Sequence, residues 1–344
     1  MSTEQMTCKE RVQAAVKYED IDRLPVFKGY FSPARLVDRK MNYSFFTDAE
    51  AIAEACWQAW KYFDDDGIHL LDGGFMEEEF GADSIWPENN YPMINHILVT
   101  DHEAADALKE PDPYKDSVFT AILKATEILR KKAGDEVMVC GFINGTFNYA
   151  ARLMGTENMM NYLATDPELV HKVCRKVADA QVRYAKAYGE AGIELIFMPD
   201  ATSAPACISP KTYGKMALPY LKEAVKGFQD AGALAMYHPC GGEYPIIDQI
   251  GQTKADIYYF SELVELDVAQ KIFVDRAAVA GTVNGSRELF LGTPEIVDEH
   301  VKGIIDRLKY RTGAIIMPGC GLSPNCKYEN VKAMVDATKE YGKN

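Results

Sequence analysis

The chain is short of positive charge: 37 Lys and Arg stand against 51 Asp and Glu, a formal net charge of −14. No stretch gathers basic residues into a patch, so a polyanion would meet a repulsive field. This sets aside nucleic acid, acidic membrane surfaces and heavily anionic ligands. No apolar run approaches the roughly 20 residues of a membrane span. The opening stretch from Met1 to Arg11 carries no hydrophobic signal core. The eight cysteines, at 8, 56, 140, 174, 207, 240, 320 and 326, form no dense short-range framework. Reduced thiols and a cytoplasmic location are the expectation. Linkers, low-complexity tracts and internal repeats are missing as well.

What remains is a chain of 344 residues, 47% hydrophobic, enough for one large core and read as a single domain over 1–344. Short apolar or β-rich runs fall at 24–28, 67–71, 137–141, 193–198, 233–237, 256–259, 278–282 and 313–317. Helix-period segments separate them. Asp48 to Asp64 is one, and Asp166 to Tyr188 is another, with Val170, Val173, Val177 and Val182 expected on one apolar face. Thr293 before Pro294 and Ser209 before Pro210 read as helix starts, with a hydroxyl cap and Pro at the first helical position. Eight strands alternating with helices predict a closed α/β (β/α)8 TIM barrel. The first 20 residues and the segment 75–115 are its decorations.

In such a barrel the chemistry lies at the carboxyl ends of the strands. The residues found there, in order, are Lys28 and Tyr30, Asp72, Asn144, Asp200, His238 with Cys240, Ser261 with Glu262, Asn284 and Cys320. His238, Cys240 and Cys320 stand out. One imidazole and two thiolates suit zinc, and three protein ligands leave a fourth position for water or substrate. The competing reading is two ordinary buried cysteines and a strand-end histidine. Glycines beside both cysteines, which allow close backbone approach, favour the metal.

Several segments together are similar to the uroporphyrinogen decarboxylase superfamily, and in particular to its zinc-dependent corrinoid methyltransferase branch. They run from Asp22-Arg23 through Leu153 to Glu157, Asp166 to Val170, Ile208 to Pro210 and Leu218 to Lys222. They continue with Tyr237 to Gly241, Gly292 to Glu295, Gly319 to Pro324 and Glu329 to Val335. His238-x-Cys240 followed far downstream by Cys320 resembles the zinc motif of enzymes that methylate coenzyme M from methylcobalamin. The resemblance implies the decarboxylase-like barrel, Zn2+, and methylcobalamin carried by a partner corrinoid protein. The implied activity is methyl transfer to or from a small molecule, with a thiol such as coenzyme M expected. Loading of the corrinoid from a methyl ether or amine is one alternative, and decarboxylation is another. Decarboxylation of a tetrapyrrole is disfavoured, because the loop after the first strand has a single Arg35 where paired guanidiniums are wanted for carboxylates.

A thiol has a pKa of about 8.5 and is mostly protonated at neutral pH. Metal coordination favours its deprotonation and holds it for attack. Asp200, then Glu262, are the expected fourth ligand or nearby catalytic carboxylate, while Glu243 is expected to begin a helix. Asn144 and Asn284 are expected to bond the ligand or cofactor. Phe142, Phe147, Tyr237, Tyr258, Tyr259 and Phe260 are either pocket lining or core. Asp72, in Asp-Gly-Gly, reads as a turn.

Overall fold

The structure is a computed structural model, and it describes residues 5–30, 33–70, 76–88, 92–323 and 325–344. Seven parallel strands make one sheet: β1 (Gly67–His69), β4 (Met138–Phe142), β5 (Leu195–Pro199), β6 (Leu234–His238), β7 (Ile257–Tyr259), β8 (Ala278–Val283) and β9 (Ala314–Pro318). They pair in chain order, β1 to β4 and onward to β9. The two remaining strands, β2 (Ser84–Ile85) and β3 (Met93–Ile94), form a small antiparallel pair within the decoration at 75–115.

The first expected strand, 24–28, does not build a regular ladder, yet it closes the barrel. Phe27 N–H donates to Ile316 O at 3.0 Å, Ile316 N–H donates to Pro25 O at 3.0 Å, and Asp66 N–H donates to Val26 O at 2.9 Å. The segment thereby lies between β9 and β1. Pro25 has no N–H to give, which keeps this pairing short. The other seven strands lie within two residues of their expected places, because alternating β-rich runs between turn residues locate strands well.

Helices cover the outside. Ala49–Phe63 is capped by Asp48, whose Oδ1 accepts from Ala51 N–H at 3.0 Å, and it ends at Asp64 in the left-handed region. Pro167–Ala191 begins with Asp166 as cap and stops at Gly192, φ +96°. Its Val170, Val173 and Val177 are buried, but Val182 is 41% exposed. Five residues past Val177, it is turned about 140° from that face at 3.6 residues per turn, and Tyr184 takes the inward place. Ser209 caps as expected, accepting from Thr212 N–H at 3.1 Å. Thr293 holds the cap position before Pro294, but its hydroxyl donates to Glu295 Oε2 at 2.6 Å instead of accepting from the helix.

The amino-terminal helix Cys8–Val16 plugs the bottom of the barrel, with Val12 packed into the interior beside Phe27. Its Arg11 is fully buried and bonds Asp66 Oδ1 at 2.6 Å and Asp22 Oδ1 at 2.7 Å, while Arg23 reaches Asp66 Oδ2 at 2.7 Å. Although burial pulls Asp22 upward, Arg11 holds its carboxyl well below the usual range. The Asp22-Arg23 motif therefore fastens the decoration to the barrel floor.

Alternation along the strands sorts the aromatic residues. Phe142 and Tyr259 face the barrel interior with Phe27, Tyr30 and Phe197. Phe147, Tyr237, Tyr258 and Phe260 belong to the core outside the barrel, between sheet and helices. Only two of the six aromatic residues expected as pocket or core are inward, since successive side chains on a strand point to opposite faces.

Candidate metal centre

His238 ends β6 and is 1% exposed. Its ring stacks on Tyr259 with centroids 4.0 Å apart, and Nδ1 lies 2.9 Å from the Tyr259 carbonyl. A carbonyl only accepts, so Nδ1 carries the proton and Nε2 keeps its lone pair. Nε2 is buried and has no hydrogen-bond partner, a costly state for a polar atom unless a ligand completes it.

Cys240 follows after Pro239 with φ +44°, and Gly241 and Gly242 continue at +124° and +71°. This left-handed run folds the chain back at the barrel mouth. The Cys240 thiol then meets Cys320, just past β9, at an Sγ–Sγ distance of 3.4 Å. The nitrogen and the two sulfurs all lie within 4.8 Å of one another. Tetrahedral zinc with bonds of about 2.3 Å to sulfur needs its sulfurs about 3.8 Å apart, so the donor set fits after a small widening. Without a metal the thiols share a proton unequally. Cys320 is lowered chiefly by the hydrogen bond from Cys240, against burial, and Cys240 is raised correspondingly.

Glu243 begins the short helix Tyr244–Ile246 as expected, but its carboxylate does not bond that helix. It is fully buried, and Oε1 accepts from Ser261 N–H at 2.9 Å and Gly241 N–H at 3.3 Å. Its Oε2 accepts from the Ser261 hydroxyl at 2.8 Å. One carboxylate thus ties the cysteine-bearing loop to the loop after β7. The next residue, Glu262, approaches the loop that carries Cys320: a Cβ on Gly319 would stand 2.7 Å from Glu262 Oε2 and 2.6 Å from its backbone nitrogen. Only glycine allows that approach.

The other candidates divide. Asp200, fully buried, accepts from Asn148 N–H at 2.8 Å and Phe147 N–H at 3.3 Å, at the start of the helix Thr146–Met154. Burial pushes its carboxyl up to about 7 against the pull of those amides. Gly145 makes room, since a Cβ there would fall 2.2 Å from the Asp200 Cβ. Asp200 is not among the gathered donors. Glu262 is not among them either, although it lines the cavity that Cys320 borders. Asn144 accepts from Asn148 Nδ2 at 3.4 Å, and Asn284 accepts from Ser286 N–H at 3.1 Å and Arg287 N–H at 2.8 Å. Both amides are engaged in local structure, and Asn284 caps the π-helix Gly285–Phe290.

Lys28 is not at the rim but inside the barrel, 2% exposed, with Nζ 3.8 Å from Asp65 Oδ2. The same oxygen stands 3.4 Å from His69 Nε2. Asp65 and His69 share the inward face with Gly67 between them, and the missing side chain lets them meet. Burial, then Lys28, pushes His69 down to about 4 despite Asp65. Tyr30 stacks on Phe197 at 4.3 Å and lies edge-on to His69 at 4.8 Å. Asp72 lies outside the described residues.

A family model described as uroporphyrinogen decarboxylase (URO-D) matches residues 7–341. The chain belongs to that family. It is 26% identical over 97% of its length to a methylcobamide:CoM methyltransferase of Methanosarcina mazei, covering 98% of that protein. A uroporphyrinogen decarboxylase of Nostoc punctiforme is 25% identical over 95% of this chain and 94% of its own length. Among solved structures, a methyltransferase from Methanosarcina mazei superposes with a TM-score of 0.88 at 21% identity, over 98% of this chain and 99% of that one. This last likeness supports the barrel. No helix among the described residues is long and apolar enough to cross a membrane.

Proposed function

We propose that this chain is a zinc-dependent methyltransferase that moves a methyl group between a corrinoid, carried by a partner protein, and a small thiol of the class to which coenzyme M belongs. The observation that carries this reading is the buried, unpartnered Nε2 of His238 converging with two thiols at the barrel mouth. The methylcobamide:CoM methyltransferase relative supports the corrinoid and the thiol. When bound, zinc supplies a Lewis acid that favours the thiolate form of a substrate thiol at neutral pH.

The chain's own residues do the rest. His238, Cys240 and Cys320 would hold the metal, and the two thiolates would offset its charge. Tyr259 fixes the imidazole from below by its carbonyl and its ring. Glu262, which lines the cavity beside Cys320, would be the carboxylate available as a further ligand. Asp200 and Asn144 act at one remove, holding the start of the helix Thr146–Met154 against the end of β5. Asn284 holds the loop after β8 in the same manner. A cytoplasmic enzyme meeting a soluble corrinoid protein completes the reading, with neither nucleic acid nor membrane involved.

The test is methyl transfer from methylcobalamin or a methylated corrinoid protein, followed by the cobalamin visible spectrum, with thiol, amine and methyl-ether substrates side by side. Thiol-dependent demethylation is expected. Cobalt that stays unchanged with every substrate, together with carbon dioxide release from a porphyrinogen, would select the decarboxylase alternative.

A further inference from the structure

Several polar atoms inside the barrel are buried and have no hydrogen-bond partner: the Tyr259 hydroxyl, His69 Nδ1 and Lys28 Nζ, in addition to His238 Nε2. Folded proteins rarely leave such atoms empty unless water or a ligand meets them. We propose that Lys28 binds the anionic group, a sulfonate or carboxylate, of the thiol whose sulfur reaches the metal. The proposal rests on the thiol reading above and names the residue that selects the substrate.

Lys28 is 2% exposed, and burying an ammonium is costly unless its charge and its N–H donors are answered. Asp65 answers the charge, with Oδ2 3.8 Å from Nζ. That separation is too long for a hydrogen bond, and the same oxygen already accepts from the Lys28 backbone N–H at 2.9 Å. The ammonium donors therefore remain to be filled, and a charged oxygen fills them best. His69 shares Asp65 with Lys28 but is no rival for an anion: burial, then Lys28, lowers it to about 4, so it is neutral at pH 7. Lys28 also starts beside the metal loop. A Cβ on Gly29 would stand 2.9 Å from Pro318 Cγ, and Leu322 N–H donates to Tyr30 O at 3.1 Å, which sets residues 28–30 against the strand end and loop that carry Cys320. Rings link the two places: His69 lies edge-on to Tyr30 at 4.8 Å, Tyr30 stacks on Phe197 at 4.3 Å, and Phe197 is 5.9 Å from His238. Their apolar faces suit a short methylene chain, and the ammonium suits its anionic end. Arg287 is the other cation to weigh, since Ser286 before it lines the cavity beside Cys320, but its side chain is 81% exposed. Water and salt weaken a solvated charge far more than a buried one.

The experiment loads the full-length protein with Co2+ and titrates four short thiols: 2-mercaptoethanesulfonate, 3-mercaptopropionate, 2-mercaptoethanol and cysteamine. The thiolate-to-cobalt absorption band is the readout, with affinities corrected for each thiol's own pKa. The two anionic thiols are expected to bind the parent roughly ten- to a hundredfold more tightly than the other two, the worth of one hydrogen bond to a charged group. Most of that margin should survive high salt, because the ammonium is buried. Lys28→Met and Lys28→Gln are expected to abolish the margin while cobalt stoichiometry and 2-mercaptoethanol affinity stay at the parent's values, and Arg287→Gln is expected to keep it. A parent without the margin, Lys28 variants that retain it or weaken all four thiols alike, or its loss in Arg287→Gln would each overturn the assignment and leave the metal-bound thiol standing. Should neither Lys28 variant load cobalt, the parent's salt series is the test, and a margin that collapses in high salt overturns the assignment. If no thiol perturbs the parent's band, the thiol reading itself falls and this inference falls with it.

Discussion

The two ends of the barrel treat buried polarity in opposite ways. At the floor, Asp66 answers Arg11 and Arg23, and Asp22 answers Arg11 again. At the mouth, His238 Nε2 is buried without a partner, and two thiols crowd together at 3.4 Å. A buried group left incomplete costs free energy, so the floor holds the fold, and the mouth fits the metal proposed above. The URO-D family motif at Asp22-Arg23 belongs to the first end, and His238-x-Cys240 with Cys320 to the second.

The sharpest way to break this comparison is to remove one donor at the mouth. Cys240→Ala or Cys320→Ala is expected to abolish stoichiometric zinc binding and methyl transfer while circular dichroism and the melting transition stay close to the parent. Full zinc retention in both variants would sink the metal assignment. At the floor, Asp66→Ala strands two buried guanidiniums and is expected to cost about 3 to 5 kcal/mol of stability. Urea unfolding measures it, and zinc stoichiometry in the remaining folded protein should be unchanged.

Asp200 gives a pH test. Its folded-state pKa is raised to about 7, above the ordinary carboxylate value of about 3.9. Its contribution is therefore full below about pH 4 and is lost as pH rises toward 7. Asp200→Asn should remove that slope, so that the stability difference between variant and parent shifts in the variant's favour across this range, by up to a few kcal/mol. Melting curves at several pH values check it, and a pH-independent difference would contradict it. Glu243→Gln is the mildest change: one acceptor oxygen becomes a donor facing Ser261 and Gly241. A zinc affinity about tenfold weaker, with the fold unchanged, is expected from loosening support around the ligands, and competition with a chelator measures it.

The strands were legible because each is a short apolar run between turn residues, and the three gathered donors were legible because each follows such a run. What local sequence could not supply was the partner. Glu243 does start a short helix, but only the fold shows that its carboxylate bonds Ser261, 18 residues later. Asp200 reads as a ligand until amides 52 and 53 residues earlier claim its oxygens. Tyr237 and Tyr258 read like Tyr259 as either lining or core, and they face the helices. The first strand was found, yet its irregular pairing depends on Pro25 and on Ile316 at the far end of the chain.

X-ray absorption at the zinc edge, before and after adding a small thiol, tests the central claim most directly. The account predicts about one zinc per chain, two sulfurs and one imidazole nitrogen with a lighter oxygen neighbour, and a third sulfur when thiol is added. A metal-free protein that still transfers methyl groups, or a zinc shell without sulfur, would contradict it.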